Sequence, residues 1–171
     1  NHDFDIHLLK SAIYDSASSI KELREGVQVF SKQHEVDLVT EADLKSEEIL
    51  INAITKHYPN DGIISEESEI INPDSDRTWI IDPLDGTVNY ANNIFQVAIT
   101  LMLLENNKPT QAYVLDIYED VLYEGYKGQG AYKNGEELKI LKSTTMQKAI
   151  VATGFPYDRV HNSSHYMKTF E

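Results

Sequence analysis

The sequence contains no cysteine. That excludes disulfides, thiolate zinc sites and thiol catalysis, and it suits a reducing compartment. Cationic residues are scarce: 15 Lys and Arg face 28 Asp and Glu, a formal charge of −13. No nucleic-acid partner is expected from such a balance, because that binding needs clustered Lys and Arg. An anionic substrate would be repelled too, unless bound cations reversed the local sign. Long apolar runs are missing. The longest, Val97 to Leu104 interrupted by Thr100, is far too short to cross a bilayer. The opening Asn1-His2-Asp3-Phe4-Asp5 is acidic and has no signal-peptide core. A cytoplasmic setting without a membrane partner is the expectation. There is no repeat, low-complexity linker, Walker-type loop, Ser-His-Asp pattern or His-rich metal motif, and Gly128-Gln129-Gly130 is too short for a dinucleotide fingerprint.

What remains is ordinary for a globular protein: 171 residues, 41% apolar and 25% charged, enough for one well-buried domain. Residues 4–30 carry a helical stripe of Phe4, Leu8, Ala12, Ala17, Ile20 and Leu23, weakened at Gly26. Thr40 and Asp43 read as the cap and third position of a second helix running to about Tyr58, with Leu50, Ala53, Ile54 and His57 inward. Ile63-Ile64 and Trp79-Ile80-Ile81 read as strands, the latter ending at Asp82 because Pro83 lacks an N–H. Strands are expected over 95–104, 111–116, 121–126 and 149–152, with hairpin chemistry at Asn134-Gly135. Helices followed by a largely antiparallel sheet predict a layered α+β fold without an internal boundary.

Four acids have the right company for chemistry. Glu66, Asp82 and Asp85 end or follow expected strands, and Asp43 lies in a first helical turn. Carboxylates brought together repel, unless one is neutral or a cation lies between them. A hard divalent cation such as Mg²⁺ is the simplest resolution, since it prefers carboxylate oxygens. The turn at Pro83 frees the Leu84 carbonyl as a further ligand. N–H groups after Asp85 suit a phosphate, and Thr87 suits the orientation of an activated water.

Asp82-Pro83-Leu84-Asp85-Gly86-Thr87-Val88-Asn89, preceded by Glu66-Glu67-Ser68 and by Asp37-Leu38-Val39-Thr40-Glu41-Ala42-Asp43, resembles the inositol monophosphatase family, lithium-sensitive and magnesium-dependent phosphatases of the sugar-phosphatase fold. The turn from Gly128 to Gly135 is similar as well. The resemblance implies that Glu66, Asp82 and the Leu84 carbonyl hold an activating metal. Asp82 and Asp85 would hold a second, for two or three Mg²⁺ in all, with Mn²⁺ as a possible substitute. Asp43 and Thr87 match the pair that orients the nucleophilic water, with Glu66 adjacent. Gly86 and Thr87 match the phosphate cradle, and Asp85 a contact to a substrate hydroxyl. The partner is a small phosphomonoester, most simply inositol monophosphate or a related sugar or polyol phosphate, and the expected assembly is a homodimer.

One departure matters. The family's later Trp-Asp block has no counterpart, for Trp79 is the sole tryptophan. The chain is therefore expected to be the N-terminal α+β portion (1–171) of a longer enzyme, weakly active or inactive alone. Taken singly, each block has an ordinary explanation: an acidic loop at 66–69, a helix-dipole stabiliser at Asp43, a plain turn at 82–86. Their joint order favours a site. Fructose-1,6-bisphosphatase or nucleotide phosphatase activity is an alternative, although Thr87-Val88-Asn89 departs from the runs usual there. A non-catalytic interaction module is another. A Ca²⁺-binding domain is disfavoured by the lack of an EF-hand loop. His57, Trp79 and Tyr90 read as packing residues, and His161 and His165 receive no role.

Overall fold

The computed structural model describes residues 2–24, 29–31, 38–139, 145–152 and 161–168. Helix α1 covers His2–Glu22 and α2 covers Glu41–His57. Leu9, Ala12, Ile13, Ser16, Ala17 and Ile20 give α1 one buried stripe, and Ser46, Leu50 and Ile54 belong to that of α2. This is the i, i+3, i+4 spacing of an amphipathic helix. The helices approach closely where both carry serine: the Ser16 and Ser46 hydroxyls lie 2.5 Å apart. The α1 stripe is shifted from the expected one, with Leu9 and Ile13 buried and Leu8 half-buried. The expected continuation to residue 30 does not hold where it is described, since Val29 and Phe30 lie in a strand; residues 25–28 lie outside those described.

Two short strands, β1 (Val29–Ser31) and β2 (Leu38–Thr40), form an antiparallel pair ahead of α2. The main sheet has seven strands in sequential order: β3 (Gly62–Ser65), β4 (Arg77–Asp85), β5 (Ala98–Glu105), β6 (Lys108–Asp116), β7 (Val121–Tyr126), β8 (Gly130–Lys133) and β9 (Glu136–Glu137). Among the described residues only β3 and β4 run parallel; every other pair is antiparallel. Alternate residues place Trp79, Ile81, Ile99, Leu101, Leu103, Tyr113, Leu115 and Leu122 in one core with the helices. This is the expected layered α+β arrangement.

Three differences from the sequence reading have physical causes. Strand β4 does not stop at Asp82 but continues to Asp85 across a register shift. Pro83 interrupts the ladder, and the chain bulges instead of leaving the sheet. Strand β5 begins at Ala98 and not at Phe95, because the Gln96 carbonyl accepts from the Asn89 side chain at 2.8 Å. The expected strand at 149–152 is absent. Those residues follow a 3₁₀ turn at Met146–Lys148, Ile150 is fully exposed, and among the described residues no strand pairs with them. The hairpin reading at Asn134-Gly135 holds, with φ of 49° and 82°, the pair of positive values a primed turn requires. A short helix, α4 (Ser163–Met167), carries His165 in the segment read as a polar tail. The Tyr157-Asp158-Arg159 helix start lies outside the described residues.

Candidate active site

Thr40 caps α2 in a complete capping box. Its side chain accepts from the Ala42 and Asp43 amides, and its own N–H donates to Asp43 Oδ2 at 2.8 Å. The Thr40 hydroxyl donates to the same oxygen at 2.5 Å. This leaves Asp43 Oδ1 to accept from the Thr87 hydroxyl at 2.9 Å. Asp43 is 1% exposed, so its carboxylate is fixed within this network. Burial raises its pKa above the ordinary carboxylate value, and the Thr40 and Thr87 hydrogen bonds oppose the rise.

The bulge in β4 builds the second part. The Leu84 amide donates to Asp82 Oδ1 at 3.2 Å, the local bond typical of an Asx turn. The Pro83 carbonyl accepts from Ser46 of α2 at 2.6 Å. The Leu84 carbonyl accepts from Thr87 at 3.2 Å, and a carbonyl oxygen has a second lone pair to offer. Gly86 (φ +98°) then turns the chain into α3 (Thr87–Ala91). A Cβ at Gly86 would stand 3.0 Å from the Gln96 carbonyl, so both its conformation and its room call for glycine.

Glu66 follows β3, which runs parallel beside β4, so Glu66 and Asp82 emerge at the same end of neighbouring strands. Asp82 is the electrostatic centre of the group. Burial pushes its pKa up to about 6, and the charges of Glu66, Asp85 and Asp43 push the same way, against the Leu84 amide. Asp85 is exposed and borders a cavity of about 270 Å³ shared with Gly86, Asn89, Gln96 and Asp116. Among the described residues, no three His, Asp or Glu side chains close tightly enough to hold an ion by themselves. Mg²⁺ does not need such a cage: it is commonly bound by one or two carboxylates with waters and substrate phosphate completing the shell. A crowded, half-buried carboxyl with an open carbonyl nearby fits that cation.

The structure therefore brings Asp43, Asp82, Leu84 and Thr87 into one hydrogen-bonded unit, with Gly86 turning the chain beside it and Asp85 and Glu66 acting on Asp82 as charges. Two contributors were not apparent from the motifs. Ser46 holds the Pro83 carbonyl, and Glu47 accepts from the Glu67 amide at 3.0 Å and from the Ser68 hydroxyl. Both lie three and four residues after Asp43, on the same helix face. Polar residues at those spacings on an inward face were the available signal.

Known proteins share this sequence pattern and fold. The model of the "Inositol monophosphatase family" matches residues 4–170. Inositol monophosphatase 1 of Bos taurus is 35% identical over 135 residues, 77% of this chain and 49% of that protein. The fructose-1,6-bisphosphatase/inositol-1-monophosphatase of Aquifex aeolicus is 36% identical, over 80% of this chain and 52% of its own. Nus factor SuhB of Escherichia coli K12 is 35% identical, over 77% and 49%. Among solved structures, the extragenic suppressor protein suhB of Bartonella henselae superposes with a TM-score of 0.86 at 28% identity, covering 95% of this chain and 63% of that one. An IMPase/NADP phosphatase complexed with Mg²⁺ and phosphate gives 0.74 at 27%, covering 81% and 53%. The chain belongs to the inositol monophosphatase family. It spans about half the length of the curated relatives it matches.

Proposed function

We propose that the protein acts as a Mg²⁺-dependent phosphomonoesterase on inositol monophosphate or a related sugar or polyol phosphate. The observation that carries this reading is the crowding of Asp82 by Glu66, which follows β3, by Asp85 at the end of β4 and by Asp43 in the first turn of α2. Such an arrangement is costly for a fold and useful for a cation. Glu66, Asp82, the Leu84 carbonyl and Asp85 would hold two or three ions, Mg²⁺ or Mn²⁺. When bound, the cation neutralises phosphate charge and acidifies water.

The chain's own residues do the rest. The single proton of the Thr87 hydroxyl goes to Asp43, the nearer acceptor, or to the Leu84 carbonyl, and either way its oxygen lone pairs remain available to orient a water. Asp43, fixed by Thr40, would take the Thr87 hydroxyl proton as the Thr87 oxygen takes one from the attacking water. The Gly86 and Thr87 amides face the phosphate, and Asp85 contacts a substrate hydroxyl from the edge of the adjoining cavity. The setting is cytoplasmic and the assembly a homodimer; among the described residues no helix is long and apolar enough to cross a membrane.

The test is phosphate release from inositol monophosphate, fructose 1,6-bisphosphate and nucleotide phosphates, with and without Mg²⁺, alongside titration of the protein with Mn²⁺. Mg²⁺-dependent release from a polyol phosphate is expected, at a low rate from the 171 residues alone. Equal rates in excess chelator would overturn the metal mechanism. The match to Nus factor SuhB favours a second reading, an interaction module that keeps the site. Metal binding without turnover on any of these substrates would select it.

A further inference from the structure

We infer that Glu47 is a positioning residue, which anchors the loop after β3 to helix α2 and so fixes where Glu66 stands. The inference rests on the reading of the site given above. Glu47 is 3% exposed. A carboxylate that deep needs hydrogen-bond donors or a cation. Among the described residues no Lys or Arg pairs with it. Its two oxygens go to one place instead: Oε1 to the Glu67 amide at 3.0 Å and Oε2 to the Ser68 hydroxyl. Both donors lie immediately after Glu66. A structural acid can satisfy itself against any nearby donor, but this one spends both oxygens on the loop that carries Glu66.

The neighbours of Glu47 on α2 act in the same way. Asp43 receives the Thr87 hydroxyl at the start of α3, and Ser46 donates to the Pro83 carbonyl in the β4 bulge. One helix face thus holds three separate segments, which carry Thr87, Asp82 to Asp85, and Glu66. Residues at i, i+3 and i+4 share a face, so a rigid helix sets the spacing among the three. Removing Glu47 releases one segment while leaving the other two anchored. The expected consequence is a displaced Glu66 in an otherwise intact fold.

The experiment uses the 171-residue chain and two readouts. Amide exchange of the metal-free protein reports the loop, and calorimetric titration with Mn²⁺ alone reports the site. In Glu47→Ala, protection of the Glu67 amide should fall about tenfold or more while α1 and the central strands are unaffected. Mn²⁺ affinity should fall about 10–100-fold, as for other groups that orient a metal ligand. Glu47→Gln, whose carbonyl still accepts from the Glu67 amide, should recover part of both losses. If Glu47→Ala does not fold, Ser68→Ala removes one of the two bonds from the loop side and should shift both readouts in the same direction. Unchanged Glu67 protection together with unchanged Mn²⁺ affinity in the folded variants would overturn the inference. Absence of Mn²⁺ binding in the unaltered protein would sink the reading of the site, while Glu67 exchange would still decide the anchoring.

Discussion

Strand β4 carries a partly buried acid problem at each end, and solves it in opposite ways. Near its start, Asp61 is 8% exposed and paired with a cation. Its Oδ2 accepts from Arg77 Nε at 2.9 Å and from Trp79 Nε1 at 2.8 Å. Arg77 reaches on to Glu105 at 2.8 Å and lies over the Tyr58 ring at 5.1 Å. Near its finish, Asp82 has one amide donor and three acids for company. The first end is complete without a ligand. The second leaves negative charge for something else to neutralise. Satisfied charge marks architecture and unsatisfied charge marks chemistry.

The contrast predicts opposite signs on mutation. Asp61→Ala orphans the Trp79 N–H and leaves Arg77 half paired, so it should destabilise the protein by about 3 kcal/mol. Urea denaturation measures this, and a loss below about 1 kcal/mol, within the range of an ordinary hydrogen bond, would dissolve the distinction between the two ends. Asp82→Asn removes a repelled charge while keeping the shape. It should leave the metal-free protein as stable or more so, yet weaken Mn²⁺ binding by more than about 100-fold, beyond the range of groups that merely orient a ligand. Turnover should be abolished with it. Normal activity in that variant would strip Asp82 of its central role.

A third expectation concerns pH. The folded state raises the Asp82 pKa from 3.8 to about 6, so between those values it binds the proton more tightly than the unfolded chain does. Stability from this group is therefore present below pH 3.8 and lost as pH rises to 6. The difference between wild type and Asp82→Asn, measured without metal, isolates the effect from the other carboxylates. It should shift against wild type over that window, and Mg²⁺ should reverse the shift above it. A flat difference would mean that Asp82 is not crowded in solution.

The acids of the candidate site were easier to name than the frame that holds them. Asp43, Glu66, Asp82 and Asp85 could be named from order and spacing because their chemistry demands carboxylates whatever their surroundings. The β4 bulge could not, since Pro83 equally suits leaving a sheet or buckling within one. Only the packing of Ser46 against the Pro83 carbonyl selects the latter. Glu47 was overlooked for a related reason. A glutamate inside an amphipathic helix reads as solvated until its partners are seen, and those partners, Glu67 and Ser68, are about twenty residues away. The false strand at 149–152 shows the converse: local β-propensity makes nothing without a neighbour to pair with.

The smallest expected effect comes from His57, which ends the helix that links the two regions. Helix α2 begins at the acidic site and finishes beside Asp61, where the Asp61 amide donates to the Tyr58 carbonyl at 3.0 Å. His57 is half-buried in its last turn, at the negative end of the helix dipole. It is separated from Asp43 by roughly 20 Å along the helix axis. That exceeds the screening length of about 8 Å at physiological ionic strength, so its charge does not reach the cation site. His57→Gln should therefore cost less than about 1 kcal/mol of stability, all of it from the helix end. Mn²⁺ affinity should stay within about twofold, as screening over that distance requires. A larger change in affinity would show that the two ends of α2 are coupled through the helix itself, and the division between architecture and chemistry would have to be redrawn along its whole length.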